Sequence, residues 1–160
     1  MKNLKNFIKN IKETKNFAVF IGYMGLVPFI FITLGIWFFP IEYEADFESL
    51  FLLYLSLIIS FLASIYWGIA IKDKKKNNSH ITLTFSVLPL IITFIINILK
   101  LPNIIKLLVF LFILNSIFIL ERKFYKFTEI PKWYLNLRAR LNISLNIIII
   151  LFILSYTLEL

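Results

Sequence analysis

Long apolar runs separated by short charged stretches organise this chain. Apolar side chains dominate residues 17–39, 50–71, 81–99, 104–120 and 141–158. Each run is close to the ~20 residues with which an α-helix crosses a bilayer core of roughly 30 Å. Backbone amides in lipid have no water to bond, so a spanning segment must satisfy them internally, as a helix does. The pattern predicts an all-α integral membrane protein, a bundle of five transmembrane helices. Lys106 falls just inside the fourth run and is expected to snorkel toward the surface.

Two stretches outside these runs also carry a helical pattern. In residues 1–16, Leu4, Phe7, Ile8 and Ile11 share a face with Lys2, Lys5, Lys9 and Lys12 around them. That is a basic amphipathic segment suited to the headgroup layer, or else a solvated basic tail. A cleaved signal peptide is disfavoured, because the next apolar run exceeds an h-region of roughly 7–15 residues and shows no small-residue cleavage site. The second stretch, "PKWYLNLRARLN" at 131–142, places Trp133, Leu137 and Leu141 on one face. It predicts an interfacial helix before the fifth span, begun by Pro131, with Trp133 and Tyr134 at headgroup depth.

Composition strengthens this reading. The 160 residues are 60% hydrophobic and 18% aromatic, with a mean hydropathy of +0.87, against an apolar share of roughly 45–50% in soluble domains. Residues 17–160 therefore form one transmembrane domain, with no length left for a folded soluble one. The net charge of +8 does not point to nucleic acid, since the basic residues sit between apolar runs and read as topology signals. Fifteen of the seventeen fall in the N-terminal segment and the second and fourth connections, while Lys100 and Lys106 occupy the third. Positive charge stays inside, so the N-terminus is expected inside and the C-terminus outside an inner membrane, bacterial or mitochondrial. The first connection carries Glu42, Glu44, Asp46 and Glu48, which read as a solvated loop or a weak cation site. It has no glycine for an EF-hand turn.

Candidate chemistry is sparse. No Asp, Glu, Lys, Arg or His lies in the middle of a run, where proton- and ion-coupled carriers place one. The one histidine, His80, stands at the mouth of the third run, and there is no cysteine. No catalytic residues, metal ligands or cofactor are expected, and an enzyme is the least favoured class. What the runs do hold is small residues. Ser56, Ser60, Ser64 and Gly68 recur every four positions, and Gly22 and Gly25 offer a second close-approach surface; both predict helix-packing seams. Pro28 and Pro89 predict kinks that expose backbone carbonyls, as packing features or as parts of a midplane site. Asn97, Asn115, Asn142 and Asn146 add polar groups, with Asn142 and Asn146 one turn apart.

All three arginines, Arg122, Arg138 and Arg140, precede the fifth run, whereas fourteen lysines supply the rest of the basic charge. A guanidinium offers a rigid fork for phosphate or carboxylate. Arg138 and Arg140 are two residues apart and splay on a helix, which favours separate contacts with lipid phosphates over a joint clamp. The alternative is a specific anionic ligand or an acidic partner residue.

Three stretches, "GYMGLVPF" (22–29), "FLASIYWG" (61–68) and "PKWYLNLRARLN" (131–142), stand in this order, each at its own span. Together they resemble the transmembrane protein 69 family, also called domain of unknown function 3429, over about residues 17–152. The resemblance implies a small protein of about five spans with no established activity, in bacterial inner membranes or mitochondria. It departs from the family at Tyr66, where the family's second-span motif carries a histidine before the Trp-Gly pair. A phenol supplies a hydrogen bond but no imidazole lone pair, so a His-dependent chemistry is not expected here.

The function expected from these features is that of a non-catalytic accessory or assembly subunit acting through helix and lipid contacts. Its partners would be membrane lipids and a larger membrane complex or a second copy of itself. The alternative is a carrier of small solutes or lipids that uses the kinked first and third spans.

Overall fold

The computed structural model describes residues 2–72, 79–124 and 131–158. They form six α-helices, α1 (Lys2–Met24), α2 (Val27–Phe38), α3 (Glu44–Lys72), α4 (Ser79–Ile98), α5 (Asn103–Phe124) and α6 (Lys132–Leu158), with a 3-10 turn at Ile41–Tyr43. Five segments are long and apolar enough to cross a membrane: Glu13–Phe38, Glu44–Gly68, His80–Ile98, Asn103–Lys123 and Lys132–Ser155. The protein is thus an all-helical membrane protein with five candidate spans. Lys74, Lys75, Lys76 and Lys126, which carry part of the charge partition, lie outside the described residues.

The first span is two helices. α1 runs from Lys2 into the membrane segment without a break, so the basic N-terminal stretch is continuous with the span. It stops at Met24 because Pro28, in the first turn of α2, has no N–H for the Met24 carbonyl and crowds the preceding turn. The chain bends rather than unwinds: Gly25 N–H bonds the Ile21 carbonyl and Leu26 N–H the Tyr23 carbonyl, both at 3.0 Å. The Gly25 carbonyl at the bend accepts from the Tyr54 hydroxyl of α3 at 3.1 Å. A kink in lipid is tolerated when a neighbour bonds the freed group in this way.

Two boundaries differ from the sequence reading. The acidic stretch expected as a loop is a 3-10 turn followed directly by α3, whose first turn holds Glu44 and Asp46. Carboxylates there favour the positive end of the helix dipole, which extends the helix beyond its apolar run. The stretch from Pro131 is helical as expected, and α6 continues through it into the fifth span as one helix. No glycine or proline interrupts residues 132–158.

Helices α2, α3, α5 and α6 surround the core, α4 packs on α3 and α5, and α1 lies against α6 and α2. α3 and α6 contribute most to the interior. At its centre Phe51 stacks on Phe152 at 3.8 Å and meets Phe29 edge-on at 5.1 Å, with all three rings fully buried. Two cross-links mark the ends. Asn103 Nδ2 donates to Glu48 where α3 and α5 begin, and Glu121 pairs with Arg138 where α5 ends and α6 begins. These are called the acidic and the basic end below. Lys106, in the first turn and a half of α5, reaches back to the Asn97 carbonyl at 3.4 Å.

Candidate functional site

The polar groups of the bundle converge on the seam between α5 and α6. Tyr134, Arg138, Asn142 and Asn146 recur every four residues on α6, slightly more than the 3.6-residue turn, so they trace a single stripe that drifts by about 40° per step. Asn115 of α5 meets its deeper half. Asn115 and Asn146 exchange amide hydrogen bonds at 2.8 and 3.2 Å. Asn142 Nδ2 donates to Asn115 Oδ1 at 3.0 Å. Asn115 and Asn146 also donate to carbonyls one turn back on their own helices, at 2.9 and 2.7 Å. Each such bond in lipid contributes about 0.6 kcal/mol, at most about 2, and their geometry fixes how α5 and α6 align.

Toward the basic end the same stripe carries charge. Arg138 Nε donates to Glu121 Oε2 at 3.1 Å, and the two side chains are only 6% and 4% exposed. Such burial is tolerable because the charges neutralise one another, whereas either alone would carry a large desolvation cost. Two phenols flank the pair, Tyr66 from α3 and Tyr134 from α6, and the charges of Glu121 and Arg138 act on both hydroxyls. Both hydroxyls are sealed from solvent; that of Tyr66, like Asn142 Oδ1, has no hydrogen-bond partner among the described residues, while that of Tyr134 stands against the Glu121 carboxylate. The arrangement holds a neutral ion pair with spare hydrogen-bonding capacity around it. Among the described residues no group of three or more His, Cys, Asp and Glu side chains gathers to hold a metal.

The residues singled out from sequence separate in space. Arg138 is the clearest correction: it is buried on Glu121 rather than extended to a lipid phosphate, the acidic-partner alternative for that arginine. Arg140 is exposed and Trp133 half-buried near the start of α6, with Trp133 edge-on to Tyr134 at 6.2 Å. The serine stripe of α3 does not act as one seam. Steps of four residues rotate by about 40° each on a 3.6-residue helix, so the stripe turns through roughly 120°. Ser56 is buried, Ser60 half-buried, and Ser64 and Gly68 exposed. The three hydroxyls bond carbonyls of their own helix, those of Leu53, Ser56 and Phe61. Gly22 does pack closely, since a Cβ there would stand 2.9 Å from Leu141 Cδ1 on α6. Gly25 serves the bend, whereas at Gly68 a Cβ would meet nothing within 4 Å. Pro28 opens α2, and Pro89 lies buried inside α4. His80 is exposed at the basic end.

Pro89 also borders an apolar cleft of about 180 Å³ between α3, α4 and α5. Tyr66, Phe85, Phe112, Ser116 and Leu120 line it with Pro89. Phe112 is 74% exposed and Leu88, another lining residue, 46%, so the cleft opens sideways toward the lipid face.

Glu121 and Gly35 were not reached by the sequence reading. Glu121 stands one residue beyond the fourth apolar run, among the basic residues of the following connection, and its partner is seventeen positions away. The available signal was the four-residue spacing from Arg138 to Asn142 and Asn146, which puts a charge on a stripe of buried amides. Gly35 is buried under the Phe47 ring, where a Cβ would come within 2.6 Å.

No curated protein and no solved structure matches the chain. One family model does, described as a protein of unknown function (DUF3429), over residues 14–154. That match covers all five spans and the whole α5–α6 seam, and the chain belongs to the DUF3429 family.

Proposed function

We propose that the protein is a non-catalytic accessory or assembly subunit of an inner-membrane complex, with its N-terminus inside, its C-terminus outside and its basic end on the inner side. The observation that carries this reading is the outer face of α3. Leu57, Phe61, Ser64, Gly68 and Ile71 lie within about 80° of one another at 100° per residue, and all are exposed. Ser64 and Gly68, four apart, leave a notch on this face, of the kind that lets a second helix approach its backbone closely. The Asn115, Asn142 and Asn146 amides and the Glu121–Arg138 pair of the α5–α6 seam are meanwhile bonded across it, which suits a fixed scaffold. At the basic end, exposed Arg140 and half-buried Trp133 suit contacts with lipid headgroups.

The carrier alternative has less support. It requires a polar passage between the first and third spans, whereas α4 packs on α3 and α5 and the cleft beside Pro89 is apolar.

Purification in mild detergent with mass spectrometry of co-purifying proteins tests the reading. A partner or a second copy should be retained, and Gly68→Leu should release it without unfolding the bundle, because a Cβ there meets nothing within 4 Å among the described residues. Recovery of a partner-free monomer from both wild type and variant would sink the proposal.

A further inference from the structure

We propose that the cleft between α4 and α5 is a binding site for one acyl chain of an anionic phospholipid, whose phosphate sits on Lys123. Its position favours a lipid over a water-soluble ligand: Leu88 and Phe112, its exposed lining residues, both lie well inside candidate spans. Its lining is apolar but for Ser116 and the Tyr66 ring, and a cavity of comparable size, about 150 Å³, already admits a benzene-sized group. A membrane supplies such groups as acyl chains.

Charge at the mouth selects the headgroup. On α5, Phe112, Ser116, Leu120 and Lys123 fall within about 80° of one another at 100° per residue, and Lys123 is about 4.5 Å of helix rise beyond Leu120. The exposed ammonium of Lys123 therefore caps the basic end of the groove that the first three residues line. Arg122 beside it is also exposed, its guanidinium 5.8 Å from the Phe118 ring centroid. The last turn of a helix already favours cations, and a phosphate on Lys123 would balance a charge that has no carboxylate partner among the described residues; Arg122, about 100° round the helix on the Phe118 side, adds only to the positive potential of this end. Glu121, the adjacent acid, is turned inward and paired with Arg138.

The site is distinct from the α3 notch. Tyr66, on the cleft side of α3, lies about 160° around the helix from Gly68, so the two surfaces can be disabled separately.

A phosphatidylglycerol with a photoactivatable diazirine in one acyl chain, diluted into phosphatidylcholine vesicles holding the full chain, provides the test. Cross-links should concentrate on peptides containing Phe85–Ile92 and Phe112–Leu120. Ser116→Phe, which fills the groove, should remove that labelling. Lys123→Gln should reduce it about fivefold, the usual effect of one basic residue near anionic lipid. Lys123 is exposed, so this second variant carries the test if Ser116→Phe does not fold. A phosphatidylcholine probe should label the cleft no better than phosphatidylglycerol labels the Lys123→Gln protein. Labelling spread evenly over the lipid-facing helices and indifferent to Ser116→Phe would overturn the site. Equal labelling by the neutral lipid, or displacement by a neutral isoprenoid at equal concentration, would overturn the anionic assignment.

Discussion

Arg138 shows how one side chain's role depends on what stands opposite. Read on its own helix, it belongs with Arg140 at the membrane edge; packed against α5, it neutralises Glu121 at 3.1 Å. Removing one member leaves the other charge buried and alone, so Glu121→Ala and Arg138→Ala should each lower stability by about 3–5 kcal/mol. The double variant Glu121→Met, Arg138→Met should lose less than either single one, as measured by unfolding in mixed detergent micelles. Arg140→Ala, at an exposed position, should shift the same curve by no more than about 0.5 kcal/mol. Equal losses for Arg138 and Arg140 would show that the ion pair does not hold the seam. Tyr66 makes the converse case. Its hydroxyl is buried without a partner among the described residues, so Tyr66→Phe should leave stability unchanged or raise it. Gly35→Ala, by contrast, forces a methyl against the Phe47 ring and should cost about 1–3 kcal/mol.

Whole helices were legible to different degrees. The length of α4 follows from its apolar run, since lipid requires a helix wherever such a run crosses it, and α5 follows its run at the start but continues to Phe124 beyond it. The start of α3 did not follow, because Glu44 and Asp46 extended the helix through its dipole; the helix expected from Pro131 is present, and what did not follow is that it runs into the fifth span as one helix, α6. Spacing by fours misled on α3 and succeeded on α6 for one geometric reason. A 40° drift per step carries a stripe across the boundary between two environments unless a neighbour lies along its path. For Tyr134 to Asn146 that neighbour is α5, and for Ser56 to Gly68 there is none at the far end. Asn115→Leu should therefore weaken the protein by about 1–2 kcal/mol, by removing the acceptor shared by Asn142 and Asn146. Asn97→Leu should have a smaller effect, because it is the backbone carbonyl of Asn97 that Lys106 contacts.

At the scale of the whole molecule, charge asymmetry and packing make separate predictions. The absence of cysteine allows single-cysteine variants at exposed sites to report sidedness. Glu42→Cys should react with an impermeant maleimide from outside, and Lys132→Cys only once the inner side is opened; the reverse result would invert the proposed orientation. The number of spans, their approximate limits and the helical class were determined by the sequence alone, because the penalty for an unbonded backbone in hydrocarbon is local and acts on every run independently. Family membership was legible too, through three short stretches that keep their order along the chain. Only tertiary structure decided which polar groups meet. Glu121 finds Arg138, and the Asn115 amide finds Asn142 and Asn146, because α5 and α6 lie side by side; the small-residue notch faces outward because α4 covers the other side of α3. Those outcomes depend on which helix faces pair, and between helices in lipid that choice rests on shape and hydrogen bonding more than on hydrophobic pattern.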